Sequence, residues 1–254
     1  MAEEKKVYTR TKGIIEGAVS GFCPGCMHST IHKIIGEAAE ELGQLDNLVR
    51  VEGVGCCGLG QFYVTCDETI AAHGRAGAVA TGIKRSSPDS LVYTYQGDGD
   101  LAAIGLAETL SAANRGENFT VIFVNNGIYG MTGGQMAPTT LPGQVTQTSP
   151  YGRDTDHCGF PIRVCEMLST LDGTALAQRV SVDSVPHIRD AKKAIRKAFE
   201  TQKAKKGFSI VEVLSTCPRN WGLTPTEAIK RLQDEMIPYY PLGVYKDTTE
   251  EGNE

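Results

Sequence analysis

Two short polar motifs, each placed directly behind an apolar run, constrain this chain more than any other feature. Gly97-Asp98-Gly99-Asp100 follows the run Ser90 to Tyr95, and Asn125-Asn126-Gly127-Ile128-Tyr129-Gly130 closes the run Phe119 to Asn125. Asn126 lies 28 positions after Asp98, with a helical pattern, Leu101 to Asn114, between them. A helix of that length runs about 21 Å at roughly 1.5 Å per residue. The returning strand covers about 23 Å at roughly 3.3 Å per residue. The chain goes out and comes back, so Asp98 and Asn126 fall at the carboxyl edge of neighbouring parallel strands. That edge is where open α/β sheets bind ligands.

The rest of the chain keeps the same rhythm. Apolar, β-branched runs at 49–54, 90–95, 119–125, 180–185 and 208–214 read as strands. Most are apolar on both sides, as parallel strands covered by helices are. Helical patterns fall at 29–42, 68–85, 101–114, 186–203 and 224–236, the fourth with Ile188, Ala191, Ile195, Ala198 and Phe199 at helical spacing. The alternation predicts an α/β fold, a doubly wound and mostly parallel sheet, as a single domain over 1–254. Residues 127–160, rich in Gly, Thr, Gln and Pro, break the pattern; a connection that long is functional or disordered. The polar, acidic stretch 244–254 reads as a frayed, disordered tail.

The residues at the edge suit a hard cation and a diphosphate. Magnesium takes near-octahedral oxygen ligands and is held by one or two carboxylates plus substrate phosphates. Asp98 supplies charge, Asn126 an amide oxygen, and a carbonyl of the 127–129 turn a third oxygen. Gly97 and Gly99 allow close backbone approach, and amides at the start of helix 101–114 face an anion favourably. Met131-Thr132-Gly133-Gly134-Gln135 either donates to the diphosphate or forms a flexible cover without direct contact. A lone Gly-Asp-Gly is usually a turn, but paired with Asn-Asn-Gly at this separation it resembles the diphosphate-binding domain of thiamine diphosphate enzymes.

Eight cysteines in a chain that reads as cytosolic argue for ligands or redox chemistry rather than disulfides. Cys23-Pro24-Gly25-Cys26 precedes helix 29–42, Cys56 and Cys57 follow strand 49–54, and Cys217 follows strand 208–214. All lie just past strand ends or at a helix start, on the cofactor edge. Four thiolates so assembled suit a tetrahedral zinc or a cubane cluster. A thioredoxin-like dithiol at Cys23 and Cys26 is a rival, since a helix start depresses thiol pKa. Cys66, Cys158 and Cys165 read as small buried hydrophobes.

Composition excludes other classes. Apolar residues make up 41% and charged residues 22%, as in a folded, core-forming protein. The net charge of -5 and the lack of a long basic run leave no nucleic-acid footprint. Lys192 to Lys206 reads as the solvated face of a helix. The charged stretch Met1 to Gly13 lacks a secretory h-region, and no run reaches the roughly 18 to 20 residues of a membrane span. The localisation that follows is cytoplasmic.

Taken in order, the Cys-Pro-Gly-Cys motif, Gly53-Val54-Gly55-Cys56, His73-Gly74-Arg75-Ala76, Gly-Asp-Gly-Asp, the segment Asn125 to Gln135 and Thr216-Cys217-Pro218 resemble the beta subunits of 2-oxoacid:ferredoxin oxidoreductases. The match runs from 23 to 218, and the loop Gly130 to Thr140 is most similar to the 2-oxoisovalerate and 2-oxoglutarate types of anaerobes. The resemblance implies that Asp98, Asn126 and the Ile128 carbonyl hold magnesium. It implies that His28, Gly55, His73, Gly74, Gly97, Gly99, Asp100, Met131 and Thr132 surround thiamine diphosphate. His73 is equally open to a surface or capping role, and Met27, where relatives show glycine, unsettles the part given to His28. Cys23, Cys26, Cys56 and Cys217 would hold one [4Fe–4S] cluster; Cys57, where relatives commonly have serine, is the alternative to Cys56.

The implied reaction is oxidative decarboxylation of a 2-oxoacid to an acyl-coenzyme A and carbon dioxide, with electrons leaving through the cluster to ferredoxin. The activating carboxylate comes from a partner alpha, pyrimidine-domain subunit, so no catalytic residue is assigned in this chain and alone it is inactive. Gamma and ferredoxin-like delta subunits complete the implied hetero-oligomer. Met131 points to the substrate in this family. The loop 127–138 offers no Lys or Arg for a second carboxylate, which favours a branched-chain substrate over 2-oxoglutarate. Two other readings stay open: a non-redox thiamine diphosphate enzyme with structural zinc, and a catalytically silent assembly subunit.

Overall fold

The computed structural model describes residues 9–249; the first eight residues of the charged N-terminal stretch and residues 250–254 of the acidic tail lie outside it. Seven strands form one sheet: β1 (Leu48–Glu52), β2 (Asp67–Ile70), β3 (Leu91–Gly97), β4 (Thr120–Asn125), β5 (Thr174–Ser181), β6 (Phe208–Leu214) and β7 (Gly243–Asp247). Their order is β2-β1-β3-β4-β6-β5-β7. All neighbours run parallel except β7, which pairs antiparallel with β5. The chain leaves β1 for β2 on one side and returns to β3 on the other, which makes a topological switch point between β1 and β3.

Helices cover both faces. On one face α1 (His28–Glu41) packs beside α6 (Val185–Lys203) over Tyr93, Tyr95, Val124 and Val213. On the other, α2 (Ala76–Ser86), α3 (Leu106–Asn114) and, beyond the short turn α4 (Thr155–Cys158), α5 (Val164–Ser169) bury Val51, Val121, Phe123 and Ile210. α6 shows why the apolar spacing works: Ala191, Ala194, Ile195, Ala198 and Phe199 form one buried stripe, and Phe199 alone contributes about 2–3 kcal/mol by leaving water. Ser184 caps its first turn through the His187 amide, and Pro186 sits where no amide is needed. Three short helices, α7 (Pro218–Trp221), α8 (Pro225–Arg231) and α9 (Ile237–Tyr239), lead to β7. No helix among the described residues is long and apolar enough to cross a membrane.

Several expected elements differ. The pattern read as a helix over 68–85 divides into β2 and α2: Asp67–Ile70 is a short polar strand at the sheet edge, where side chains meet solvent. The strand expected at 180–185 is β5, begun six residues earlier, because its Gln178 and Arg179 disguise a buried strand. The helix over 224–236 is α8 extended by a wider π-type turn, Leu232–Met236. Residues 244–247 of the expected disordered tail are instead part of β7, held on β5 through Leu176↔Asp247 and Ala177↔Lys246. Lys192 does not simply face water, since it reaches Glu37 at 3.0 Å and Glu41 at 2.6 Å across the α1–α6 seam. Cys158, expected buried, is exposed.

Candidate functional site

The strand register aligns the edge that the spacing predicts. Glu52 pairs with Tyr95, Gly97 with Val124, and Asn125 with Leu214, so β1, β3, β4 and β6 end side by side. Asp98 follows β3 and is buried. Its Oδ1 accepts the Gly99 amide at 2.9 Å; its Oδ2 accepts the Ile128 amide at 3.0 Å and the Thr139 hydroxyl at 2.8 Å. Burial pushes the carboxyl up to about 6, against the pull of those hydrogen bonds. Asn126 is buried, and its Oδ1 accepts the Ile128 amide at 3.3 Å.

The turn that follows Asn126 depends on Gly127, whose φ of 67° lies in the left-handed region that glycine enters without strain. Its carbonyl accepts Thr140 Oγ1 at 2.7 Å and Gln144 Nε2 at 3.2 Å. The long segment 127–160 is thus an ordered coil fastened by hydroxyls and amides. Gly99 is required for another reason: a side chain there would run into the ring of Tyr129.

A cavity opens on this edge, lined by His28, Gly55, His73, Gly97, Asp98, Gly99, Asp100, Asn126, Ile128, Met131 and Thr132. Every residue expected around cofactor and magnesium lines it, save Gly74. The Gly74 amide instead donates to Asp100 Oδ1 at 2.9 Å from a left-handed turn (φ 75°). Asp100 itself reaches the wall, but its carboxylate is occupied by donors from Val54, His73, Gly74 and Gln96. His28 Nδ1 lies 2.7 Å from the Tyr95 hydroxyl, and its ring stacks on Phe22 at 5.0 Å. Burial lowers its pKa to about 4, so the imidazole is neutral. Met131 is half exposed at the mouth.

The cysteines gather beside the cavity. A methyl placed on Gly130 would stand 3.3 Å from Cys56 Sγ and 3.6 Å from Cys217 Sγ. The Asn220 amide donates to Cys217 Sγ at 3.4 Å. Burial raises Cys26 to about 12 and Cys56 to about 11, and in both the charge of Cys23 and Cys217 adds to the rise. Cys57 differs: it is buried and its thiol donates to the Gly53 carbonyl at 3.1 Å. Among the described residues, no three His, Cys, Asp or Glu groups close on a point the size of one ion.

Three residues absent from the sequence expectations support the site. Thr139 holds Asp98, Glu212 accepts Asn125 Nδ2 at 2.8 Å, and Tyr240 donates to the Thr139 carbonyl at 2.9 Å. The adjacent hydroxyls of Thr139 and Thr140, inside a segment already marked as functional, were the one available signal. Glu212 and Tyr240 carried none, since only the fold brings them here.

Comparison with known proteins agrees with this geometry. Residues 53–213 match the family described as thiamine pyrophosphate enzyme, C-terminal TPP binding domain. Ketoisovalerate oxidoreductase subunit VorA of Methanothermobacter thermautotrophicus is 47% identical over 94% of this chain and 50% of its own length. The chain therefore spans about half the length of the VorA relatives it matches. The 2-oxoglutarate synthase subunit KorB of Methanocaldococcus jannaschii is 36% identical over 91% of this chain and 82% of its own. The 2-oxoglutarate:ferredoxin oxidoreductase of Magnetococcus marinus, solved with 2-oxoglutarate, coenzyme A and succinyl-CoA bound, superposes with a TM-score of 0.79 at 26% identity, covering 97% of this chain and 87% of that one. With the switch-point cavity, the Asp98–Asn126 edge and these relatives in agreement, the chain belongs to the family of thiamine pyrophosphate-binding subunits of 2-oxoacid oxidoreductases.

Proposed function

We propose that the chain is the beta subunit of a 2-oxoacid:ferredoxin oxidoreductase, holding magnesium thiamine diphosphate and one [4Fe–4S] cluster. The observation that carries this reading is one sheet edge with oxygen donors at Asp98 and Asn126 and, beside them around Gly130, the sulfurs of Cys56 and Cys217. The donors fit their groups. Asp98 and Asn126 offer hard oxygens, and a buried carboxyl raised to about 6 gains most from a nearby cation. Cys23, Cys26, Cys56 and Cys217 offer four soft sulfurs, three of them raised partly by the charge of others in the set, a conflict that thiolate–iron bonding relieves.

When bound, thiamine diphosphate supplies the electron sink for decarboxylation and the cluster a one-electron outlet. The chain's part is to bind, orient and exclude water. Asp98, Asn126 and the Ile128 carbonyl would hold the magnesium ion. The amides of the turn beginning at Gly99 would donate to the diphosphate. Gly55, Gly97 and Thr132 leave room for it, and His28, neutral and fixed by Tyr95, forms a wall that carries no charge. His73 stands at the rim with Nδ1 held by Asp100. A carboxylate for the aminopyrimidine comes from a partner alpha subunit, with gamma and delta subunits completing the assembly.

For substrate, none of the described residues lining the cavity is Lys or Arg, and Met131 offers flexible apolar surface. A second carboxylate would be left unpaired here. The higher identity to the ketoisovalerate subunit than to the 2-oxoglutarate subunit points the same way. Branched-chain 2-oxoacids are favoured. The test is iron content and visible spectrum of anaerobically purified protein, followed by specificity constants for 2-oxoisovalerate and 2-oxoglutarate in the assembled enzyme. Zinc in place of iron overturns the redox reading, and a preference for 2-oxoglutarate means that the partner supplies the missing cation.

A further inference from the structure

Behind the metal turn lies a buried ion pair that the proposed chemistry does not use. Arg179 of β5 and Glu212 of β6 are register partners with no solvent exposure, and Arg179 Nε stands 2.9 Å from Glu212 Oε2. Two buried charges between parallel strands cost more desolvation than a leucine or methionine pair would. What the pair touches suggests why it is there.

Two arms leave it, one ending beside Asn126 and the other on Asp98, the side chains assigned to magnesium. In the first, Glu212 Oε1 accepts Asn125 Nδ2 at 2.8 Å, while Asn125 Oδ1 accepts the Gly127 amide at 3.2 Å. This arm clamps the backbone on either side of Asn126. In the second, the Arg179 guanidinium lies 5.1 Å from the centre of the Tyr240 ring, and Tyr240 donates to the Thr139 carbonyl at 2.9 Å. The Thr139 hydroxyl then donates to Asp98 Oδ2 at 2.8 Å. That bond leaves Asp98 one orientation and, with the Ile128 amide on the same oxygen, directs the remaining lone pairs of the carboxylate. All of these side chains are buried, so each arm is shielded from water.

We infer that Thr139 and Glu212 are positioning residues for the magnesium-holding side chains, set together by the buried Arg179–Glu212 pair. The inference rests on the reading of Asp98 and Asn126 as magnesium ligands. Neither residue lines the cavity; each acts through Asp98 or Asn125.

The test is a magnesium titration of thiamine diphosphate binding by calorimetry, on the full-length chain with its co-purifying subunits, beside urea unfolding of each variant. Thr139→Val keeps shape and removes the donor; one hydrogen bond to a charged group corresponds to about a tenfold rise in the magnesium midpoint. Thr139→Ser restores the hydroxyl and is expected to return the midpoint close to the wild-type value. Glu212→Gln is expected to raise it as well. Packing alone would move urea stability without this serine rescue, so a Thr139→Val midpoint equal to wild type, or one that serine fails to restore, overturns the inference. If Glu212→Gln does not fold, the Thr139 pair decides alone. Asp98→Ala separates the two levels: if it abolishes magnesium-dependent binding while Thr139→Val changes nothing, only the positioning role falls. If Asp98→Ala binds as wild type, the metal reading falls and takes the positioning role with it.

Discussion

His73 Nδ1 lies 2.6 Å from Asp100 Oδ1, the same oxygen that accepts the amides of Val54 and Gly74, each at 2.9 Å. The other oxygen takes Gln96 Nε2 at 2.7 Å. One carboxylate thus ties the end of β1, the 73–74 turn and the end of β3 beneath the cavity. Asp100→Ala strands several buried donors at once, and the expected loss is about 3 kcal/mol or more in urea unfolding. His73→Ala, at a partly exposed side chain, is expected to cost less than about 1 kcal/mol. Equal losses from the two variants would show that the carboxylate is not the hub.

The stability that buried Asp98 and Glu52 contribute to the metal-free protein should fall as pH rises, while buried His28, lowered to about 4, contributes in the opposite sense. Asp98 is raised from 3.8 to about 6 and Glu52 from 4.5 to about 7, both chiefly by burial. A folded-state pKa above the unfolded value contributes fully below the unfolded value and is lost as pH climbs through the folded one. For Asp98 the window is about pH 4 to 6 and the loss roughly 3 kcal/mol. On the proposed role of Asp98 magnesium would bind the ionised form, so added magnesium should restore stability above pH 6 and do little at pH 4.5. Thermal unfolding in chelator and in magnesium, with Asp98→Asn as reference, checks both signs. A wild-type curve parallel to that of Asp98→Asn across this window would contradict the assignment.

Two glycines should respond oppositely to alanine. A methyl on Gly60 would lie closer than 3.0 Å to Arg50 Nη1, Glu52 Oε1 and His32 Nε2, three buried polar atoms that converge under the loop bearing Cys56. Gly60→Ala is expected to destabilise by about 1–3 kcal/mol. Gly82, exposed in α2 with nothing within 4 Å of the added methyl, should gain about 0.5–1 kcal/mol as alanine. Chemical denaturation midpoints decide each sign.

Single serine substitutions at Cys23, Cys26, Cys56 and Cys217 should each lower iron content and weaken the broad visible absorbance of a cluster. Cys57→Ser, Cys66→Ser, Cys158→Ser and Cys165→Ser should retain iron. The thiol of Cys57 already donates to the Gly53 carbonyl, a bond that serine can replace. Loss of iron from Cys57→Ser but not from Cys56→Ser would move the third ligand by one residue.

The sheet edge that carries the candidate site was legible because its information is local. Gly97 to Asp100 and Asn125 to Gly130 are runs whose spacing follows from one helix and one strand, and β4 and β6 fall where the apolar runs place them. The misreadings share one cause, polar residues made tolerable by partners far away in the chain. Asp67–Ile70 has no apolar face to announce a strand; it gains its place from backbone pairing with β1. Gln178 and Arg179 interrupt β5 in the sequence, yet Arg179 is buried because Glu166, Glu212 and Tyr245 surround its guanidinium. Nothing near Gln178 in the chain reveals those partners. The Gly127–Phe160 segment announced a function by composition, but not that Thr139, Thr140 and Gln144 would be its fasteners.

Two of the groups behind the turn, Tyr240 and Tyr245, are made well after it. Asp98 and Asn126 leave the ribosome on the order of a hundred residues before Tyr240 and Tyr245, a delay of several seconds at about 5–20 residues per second. During that interval the nascent chain carries the complete diphosphate motif without the tyrosine that steadies Thr139 or the one that completes the shell of Arg179. A chain ended or clipped before Tyr240 would keep every signature residue and still present a slack turn.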